Sequence, residues 1–436
     1  MLRLAHFLPL AFCAFTQTAL AQTAPDQTAP DQTAPEQTAP EQTAPLQAAP
    51  AQTAPDLALS AEIGASGIAA TAARLAALPT PTAEEAFALG ALRFLGAIED
   101  AVQLRWRVGI SDSMQMLPVL RLPIPENPAP APFEPAMVSS LFTGIAAGMD
   151  SARASLAKLP PEADFGLEIA LSDLWFDIDA NGLRNSGEDL SEIVGPALLG
   201  WRWMERDTAT PLPVLRFDAA DAAWLSAYTH LLSGVAQTVL AYDPTEAITR
   251  VQDARRQLEQ FSASRSDDSY LDRSFGNFAD SFAMIAEALN QQPDPAFALG
   301  AQDHFLSMIA ENRRFWALVE RETDDTREWI PNDRQHSALG IELPQGAGAA
   351  WLSVLADAEA LLKGELLAPY WRAGDKAGVN VARMFTDPRP IELIGWVQGW
   401  RALPYLEKGP IVTRQNLRRI EQMMSGSSTM FMVLVN

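Results

Sequence analysis

Beyond Leu57, apolar positions recur three and four residues apart over most of the chain, the period of helices with one buried face. Thr82 and Glu85 form a capping box ahead of a helix that should run to about Arg107, with Phe87, Leu92, Leu95, Ile98 and Val102 on one side. The same spacing predicts helices over Ala136–Leu159, Ser281–Asn290, Ala296–Glu322, Ala347–Lys363, Pro390–Leu403 and Thr413–Met424, with Gly364 as a C-terminal stop for the fourth of these. Phe305, Met308, Ile309, Phe315, Trp316 and Val319 make the apolar stripe of the third. The longest apolar stretch, Ala219–Ala241, repeats Trp224, Leu225, Tyr228, Leu231, Leu232, Val235 and Val239 at helical spacing behind a fitting N-cap, Asp218. It is long enough to cross a bilayer, but Asp221, His230 and Gln237 interrupt it, and a buried helix is expected instead.

Elsewhere the pattern changes. Phe165, Leu167, Ile169 and Leu171 alternate as in a strand, and Met430–Val435 reads as another short one. Met114–Pro135 holds seven prolines and predicts a short strand followed by an irregular connection. No period on the order of 30 to 50 residues recurs, so a repeat array is not indicated. The expected fold over residues 57–436 is therefore mainly α, an irregular multi-helix globular region with a few short strands.

The N-terminus has a different composition. Arg3, the apolar run Leu4–Phe15 and the small residues of Ala19-Leu20-Ala21 make a secretory signal peptide over residues 1–21. Cys13, the only cysteine, lies inside it, and Phe12 in front of it is unsuited to lipidation. Residues 22–56 are seven QTAP[DE]-like pentapeptides, whose regular prolines block helix and sheet. A disordered, extended tether is expected; no PxxP spacing occurs within it, which favours a spacer over a groove ligand. The mature chain would begin near Gln22, in the periplasm or outside the cell.

Charge and composition narrow the class. At 48% hydrophobic residues the chain can bury a sizeable core without disulfides, and its net charge of −22 repels phosphate backbones and anionic head groups. Nucleic acid is excluded as a partner on this basis, and membrane-surface binding is disfavoured. An unidentified protein or envelope component remains as the partner.

One segment carries specific chemistry. Asp177, Asp179, Asn181, Gly182 and Glu188 match the twelve-position pattern D-x-[DN]-x-[DN]-G-x5-E in full. Calcium is a hard cation that takes six to eight oxygens, and alternate residues of a tight loop can aim at one centre. Asp177, Asp179 and Asn181 would supply side-chain oxygens, Leu183 its carbonyl, Asn185 a direct or water-mediated contact, and Glu188 both carboxylate oxygens. Over these twelve residues the chain resembles the EF-hand calcium loop. It departs from that pattern in having Arg184 at the eighth position, no second matching loop, and a strand-like flank in front. Behind the loop, Leu190, Ile193 and Val194 begin a helix that Gly195-Pro196 should end or bend. An ordinary Asp/Asn/Gly surface turn is the competing reading.

Other constellations are weaker. Glu320–Trp329 is dense in acids and reads either as paired carboxylates for acid–base chemistry or a second cation site, or as a solvated helix end followed by a turn and partly neutralised by Arg321 and Arg327. His230, His304 and His336 are far apart in sequence and lack zinc-ligand spacing; His230 suits a hydrogen-bonded core position. Most tryptophans, including Trp224, Trp316 and Trp351, fall on apolar helix faces. Trp329–Gln335 and Gly395–Trp400 resemble parts of uncharacterised bacterial exported proteins, a resemblance that implies no activity. The expectation is an exported calcium-binding protein with a non-enzymatic binding or structural role. The alternative is an exported hydrolase or lyase acting on polysaccharide or cell-envelope material, whose catalytic residues the sequence leaves unknown.

Overall fold

A computed structural model describes residues 56–413, except 111–121, 161–162, 200–202, 204–205, 208–209, 263–269, 326 and 341–344. The expected signal peptide, all but the last residue of the expected tether, all but the first residue of the helix expected at Thr413–Met424 and the strand expected at Met430–Val435 lie outside the described residues. What is described is mainly helical: α1 (Ala58–Ala76), α2 (Ala83–Arg107), α3 (Ala136–Leu156), α4 (Leu190–Leu199), α5 (Ala219–Ala241), α6 (Thr245–Ser262), α7 (Tyr270–Leu289), α8 (Pro295–Val319), α9 (Ala347–Leu362), α10 (Val381–Thr386) and α11 (Leu393–Gln398). Strands β1 (Leu167–Ala170) and β2 (Val214–Phe217) pair antiparallel, with Leu167 opposite Phe217. Farther along, β3 (Ala368–Pro369), β4 (Ala377–Val379) and β5 (Leu406–Lys408) form an antiparallel sheet in that order.

Local signals explain most boundaries. At the start of α2 the Thr82 hydroxyl accepts from Glu85 N at 3.2 Å, while the Glu85 carboxylate accepts from Thr82 N at 2.9 Å. Asp218 and Asp221 make the equivalent pair of bonds at the start of α5. Asp294 accepts from Ala296 N at 2.7 Å ahead of Pro295, which opens α8.

The expected helix over Ala219–Ala241 forms at those limits, and both its sides are covered. Ala222, Leu225, Leu232, Ala236 and Leu240 join a cluster with α2, α3 and β1, whereas Ala220 and Ala223 join Ile309, Phe315, Trp316 and Trp351 of α8 and α9. Small residues let the neighbours approach: a methyl on Gly234 would stand 2.6 Å from the Phe305 ring. Two-sided burial accounts for a helix that is apolar almost all round without crossing a membrane. Among the described residues, no helix is long and apolar enough to do so.

Several expectations are revised. Pro390–Leu403 is not one helix: α11 ends at Gln398, and Gly399 takes a left-handed φ of 110° before a 3-10 turn at Leu403–Tyr405. The helix expected at Ser281–Asn290 begins earlier, at Tyr270, and α6 forms where no helix is predicted. α4 continues through Gly195-Pro196 to Leu199, so the pair does not end the helix; a methyl on Gly195 would meet the Trp203 indole at 2.6 Å. Of the segment Met114–Pro135, residues 122–135 contain no strand; the rest of that prediction falls on undescribed residues.

The α2–α3 contact offers a test of packing. A methyl on Gly148 would overlap the Ala97 side chain, which is itself buried and cannot swing aside. Gly148→Ala should therefore lower unfolding stability by about 1–3 kcal/mol in a urea titration, although Ala is the better helix former by about 1 kcal/mol. A stabilised variant would show that these helices can separate freely.

Candidate functional site

The loop at residues 177–188 is held between two anchored ends. Phe176 and Ile178 are buried and face the core, so alternation turns Asp177 and Asp179 the other way. At the exit, the Glu188 carbonyl accepts from Phe176 N at 2.9 Å, Trp175 and Asp189 form an antiparallel bridge, and Leu190 N donates to the Leu174 carbonyl at 2.9 Å. This closure sets the twelfth position beside the first. Between them, Gly182 adopts a φ of 76°, and Ala180, at 56°, is a non-glycine residue in the left-handed region. The strand-like alternation expected at the entrance is realised in β1, and the helix expected behind the loop is α4. The flanks are thus strand and helix, rather than the two helices of an EF-hand.

Ligand oxygens of Asp177, Asp179 and Glu188 lie within 4.8 Å of one another, and among the described residues this is the one such group of three His, Cys, Asp or Glu side chains. Glu188 is buried at 2% exposure. Its Oε1 accepts from Ile178 N at 2.9 Å and its Oε2 from Asn185 N at 2.6 Å. Asp177 Oδ1 and Oδ2 accept from Asn181 N and Gly182 N, each at 2.9 Å. Every carboxylate oxygen has two lone pairs, so each keeps one beyond its backbone partner. Asn181 Oδ1 accepts from Leu183 N at 2.7 Å, and its amide nitrogen donates to Asp179 Oδ2 at 2.9 Å. Asn185 Nδ2 reaches the Leu183 carbonyl at 3.2 Å and Asp179 Oδ2 at 3.5 Å. The six residues expected to supply ligands are therefore neighbours around one loop. Turning the Asn185 amide over would present its oxygen where the nitrogen now sits, a change a cation would favour.

Arg184, the departure at the eighth position, has a local use. It donates from Nε to Asp189 at 2.7 Å and from Nη2 to the Ser172 carbonyl at 2.7 Å, tying the loop to the turn before it. Two further residues belong to the site and were missed from sequence. Glu99 on α2 accepts from Asp177 N at 2.9 Å, and Gln103, one turn on, donates to the Asp177 carbonyl at 2.6 Å. Burial pushes the Glu99 carboxyl up to about 7, the Asp177 N–H opposes this, and the Asp177, Asp100 and Glu188 charges add to it. A carboxylate set between Ile98 and Val102 of an apolar stripe was the available signal.

The acids of residues 320–328 divide: Asp325 turns outward, whereas Glu322, Asp324 and Glu328 lie near Asp218, Asp221 and Arg216, with Arg216 3.7 Å from Asp218. Burial and then the Asp218 charge raise Asp221 well above the ordinary range. Asp325 pairs with His336 Nδ1 at 2.6 Å, with the His336 side chain 88% exposed. Asp324 lies 3.6 Å from Arg216, and Glu322 accepts from Gln335 at 3.1 Å. Arg327 does not neutralise its own segment but pairs with Glu168 on β1. Nor is the segment simply a solvated helix end: Glu328, Asn332 and Gln335 are buried, and Asn332 donates to the Val319 carbonyl at 2.8 Å, capping α8. The expected turn at Pro331–Asp333 is present, with Arg334 N bonded to Asn332.

His230 and His304 meet with their Nδ1 atoms 2.9 Å apart, giving His230 the hydrogen-bonded position expected of it. Burial, then Arg153, pulls His230 down to about 3, so the pair is neutral. Trp316 and Trp351 are buried and Trp224 half-buried, as expected, and Trp329 packs against Phe217 and Trp224. Trp371 and Trp400 are not core residues.

No family model, characterised protein or solved structure matches the chain. The residues alone must therefore carry the functional argument.

Glu322 yields a pH test. Burial, then the Asp218 carboxylate, raises it from an ordinary 4.5 to about 7. Between those values the folded state holds a proton that the unfolded chain releases, so this group's contribution to stability falls as pH rises toward 7 and stays lost above it. Glu322→Gln should stabilise at pH 8 by about 1–2 kcal/mol, the full shift being discounted for partial solvent screening, and change little near pH 5. Thermal melts at both pH values measure the difference; equal effects would contradict the assignment.

Proposed function

We propose that the chain is an exported calcium-binding protein with a non-enzymatic binding or structural role, in which one ion clamps the loop at Asp177–Glu188 against α2. The observation that carries this reading is the convergence of Asp177, Asp179 and Glu188 at opposite ends of a closed twelve-residue loop. The donors are all hard oxygens, which suits calcium rather than a softer metal. Leu183 O and Asn185 stand beside the triad and would extend the set. Export is supported by Arg3, the Leu4–Phe15 run and Ala19-Leu20-Ala21, and would deliver the loop to a compartment where calcium is plentiful.

Bound calcium would offset the repulsion among three carboxylates and Glu99. It would also join the exit of the loop to its entrance, fixing α4 relative to α2. A clamp suits this site better than a sensor. A sensor needs a helix pair that opens, but here the loop enters from a strand, and Arg184 occupies the position through which paired loops couple. The alternative of a hydrolase or lyase draws on the acids of residues 320–328. Glu322 and Asp324 do gather with Asp218 around Arg216, but Asp325 pairs outward with His336, and the pairing with Arg216 accounts for that group without a substrate.

Calcium titration followed by thermal melting tests the proposal. At a free concentration about a hundred times the dissociation constant, linkage stabilises by about 2.7 kcal/mol, a rise in Tm of several degrees. Glu188→Gln should abolish the calcium-induced rise. Since Glu188 also accepts two backbone N–H groups, this variant will be less stable without metal, so the comparison is of the shift and not of the absolute Tm. No shift at millimolar calcium, or the same shift in the variant, rejects calcium binding at this loop.

A further inference from the structure

The segment Gly395–Trp400, distinctive in sequence, lies on a C-terminal unit built from β3–β5 and α11. Its interior is small and aromatic: Tyr370, Val379, Ala402 and Tyr405 are buried, with Trp396 stacked on Tyr405 at 5.8 Å. Tyr370 Oη donates to the Trp396 carbonyl at 2.5 Å and Arg372 Nε to the Val397 carbonyl at 2.9 Å, so the chain after β3 is fastened to α11. The outside of this unit is unusual. Ile394 and Val397 lie on α11, Trp400 and Leu403 follow the left-handed Gly399, and with Trp371, held near α11 by the Arg372–Val397 bond, they are between 41% and 69% exposed. Trp400 is fixed by the fold, its indole lying where a side chain on Gly395 would be. Arg372 stacks over Trp371 at 4.1 Å.

Scattered apolar residues on a surface need no explanation, but five large ones at one end of a small unit do. Their local charge differs from that of the chain. Residues 363–413 carry seven Lys and Arg against five Asp and Glu, a net of +2 within a chain of −22. Three of those acids are already engaged: Asp387 with Arg389, Glu392 with Arg401, and Glu407 with Arg383. Among the described residues Arg372, Lys376 and Lys408 have no ion-pair partner. The whole-chain charge disfavours a membrane surface, but fields are screened within about 8 Å at physiological salt, so the charge beside the patch governs docking.

We propose that Trp371, Ile394, Val397, Trp400 and Leu403 form a docking patch for the surface of an anionic phospholipid bilayer, into whose interface they insert. Tryptophan and arginine are suited to this depth, since each has an apolar body and a polar end that remains among the head groups. A bilayer receives side chains that stand off the surface without a matching groove, and its anionic lipids complement the local positive charge. A two-fold contact with a second copy would instead set like-charged units against each other.

The test uses the signal-free chain, in EDTA so that calcium plays no part and the outcome is independent of the loop at residues 177–188. Tryptophan emission and co-sedimentation are measured with phosphatidylcholine vesicles containing roughly one third phosphatidylglycerol, and with phosphatidylcholine alone. The expected result is binding with a blue shift on the anionic vesicles, weaker by about tenfold or more on the neutral ones or in high salt. Ile394→Glu with Leu403→Glu, two highly exposed positions, should remove binding while leaving the melting temperature unchanged. Absence of binding to anionic vesicles, or binding that survives this double substitution, overturns the proposal. So does a concentration-dependent dimer that the same substitutions dissolve in the absence of vesicle binding, which would assign the patch to contact between copies.

Discussion

Burial of α5 on both sides is the constraint on which the rest depends. A helix covered on one side needs a single apolar stripe, but Ala219–Ala241 touches α2 and α3 on one side and α8 and α9 on the other. It can meet both because its contact residues are small, and helices that meet through alanine and glycine approach closely and lock tightly. Its polar groups are handled locally: Asp218 and Asp221 cap its start, and His230 is paired with His304. The helix continues directly from β2, so whatever fixes α5 also fixes the β1–β2 ribbon. The entrance to the acidic loop is in turn the continuation of β1.

That chain of attachment explains why a loop of twelve polar residues is well defined. Its two ends are joined by main-chain bonds, and Glu99 and Gln103 grip the Asp177 peptide from both sides. α2 belongs to the cluster that covers one side of α5. The loop therefore inherits its geometry from the core, with Phe176 and Ile178 as the pins. The carboxylates repel one another, and Glu99 holds a raised affinity for a proton in their neighbourhood. Burial raises that affinity more than the neighbouring charges do, and a divalent cation would offset only the part that comes from repulsion.

Where the signal is local, sequence and structure agree closely. The capping boxes at Thr82 and Asp218, the apolar repeat of α5 and the Asp-Asn-Gly spacing of the loop each lie within a few turns of chain, and each element forms where its residues require. Discrepancies arise where distant groups decide. α6 is a partial exception: Ile248, Val251, Ala254, Leu258 and Phe261 recur at helical spacing, a local stripe that its many Arg, Glu and Gln residues obscure, and it forms half of a helical pair with α7. Pro390–Leu403 has helical periodicity, but Gly399 turns left-handed and the Trp400 indole packs back onto Gly395. Glu99 escaped notice because its partner is a backbone N–H seventy-eight residues away in sequence.

Net charge shows the same limit in another form. A value of −22 describes the far field of the molecule, while binding is decided within about one Debye length. In the acidic loop the local density exceeds the average, with three carboxylates and Glu99 around one Asp177 peptide, which makes a cation more welcome than the mean would suggest. At the C-terminal unit the sign reverses, and ion pairs there have already consumed most of the acids. The two ends of the chain's chemistry are thus electrostatically opposite although they share one fold. The tryptophans divide in the same way. Trp316 and Trp351 serve the core that α5 organises, whereas Trp371 and Trp400 are held outward by a unit with its own small aromatic interior. A side chain kept exposed by glycine contacts and main-chain bonds is placed there by the fold, and it is position rather than residue type that separates a packing tryptophan from one available to a partner.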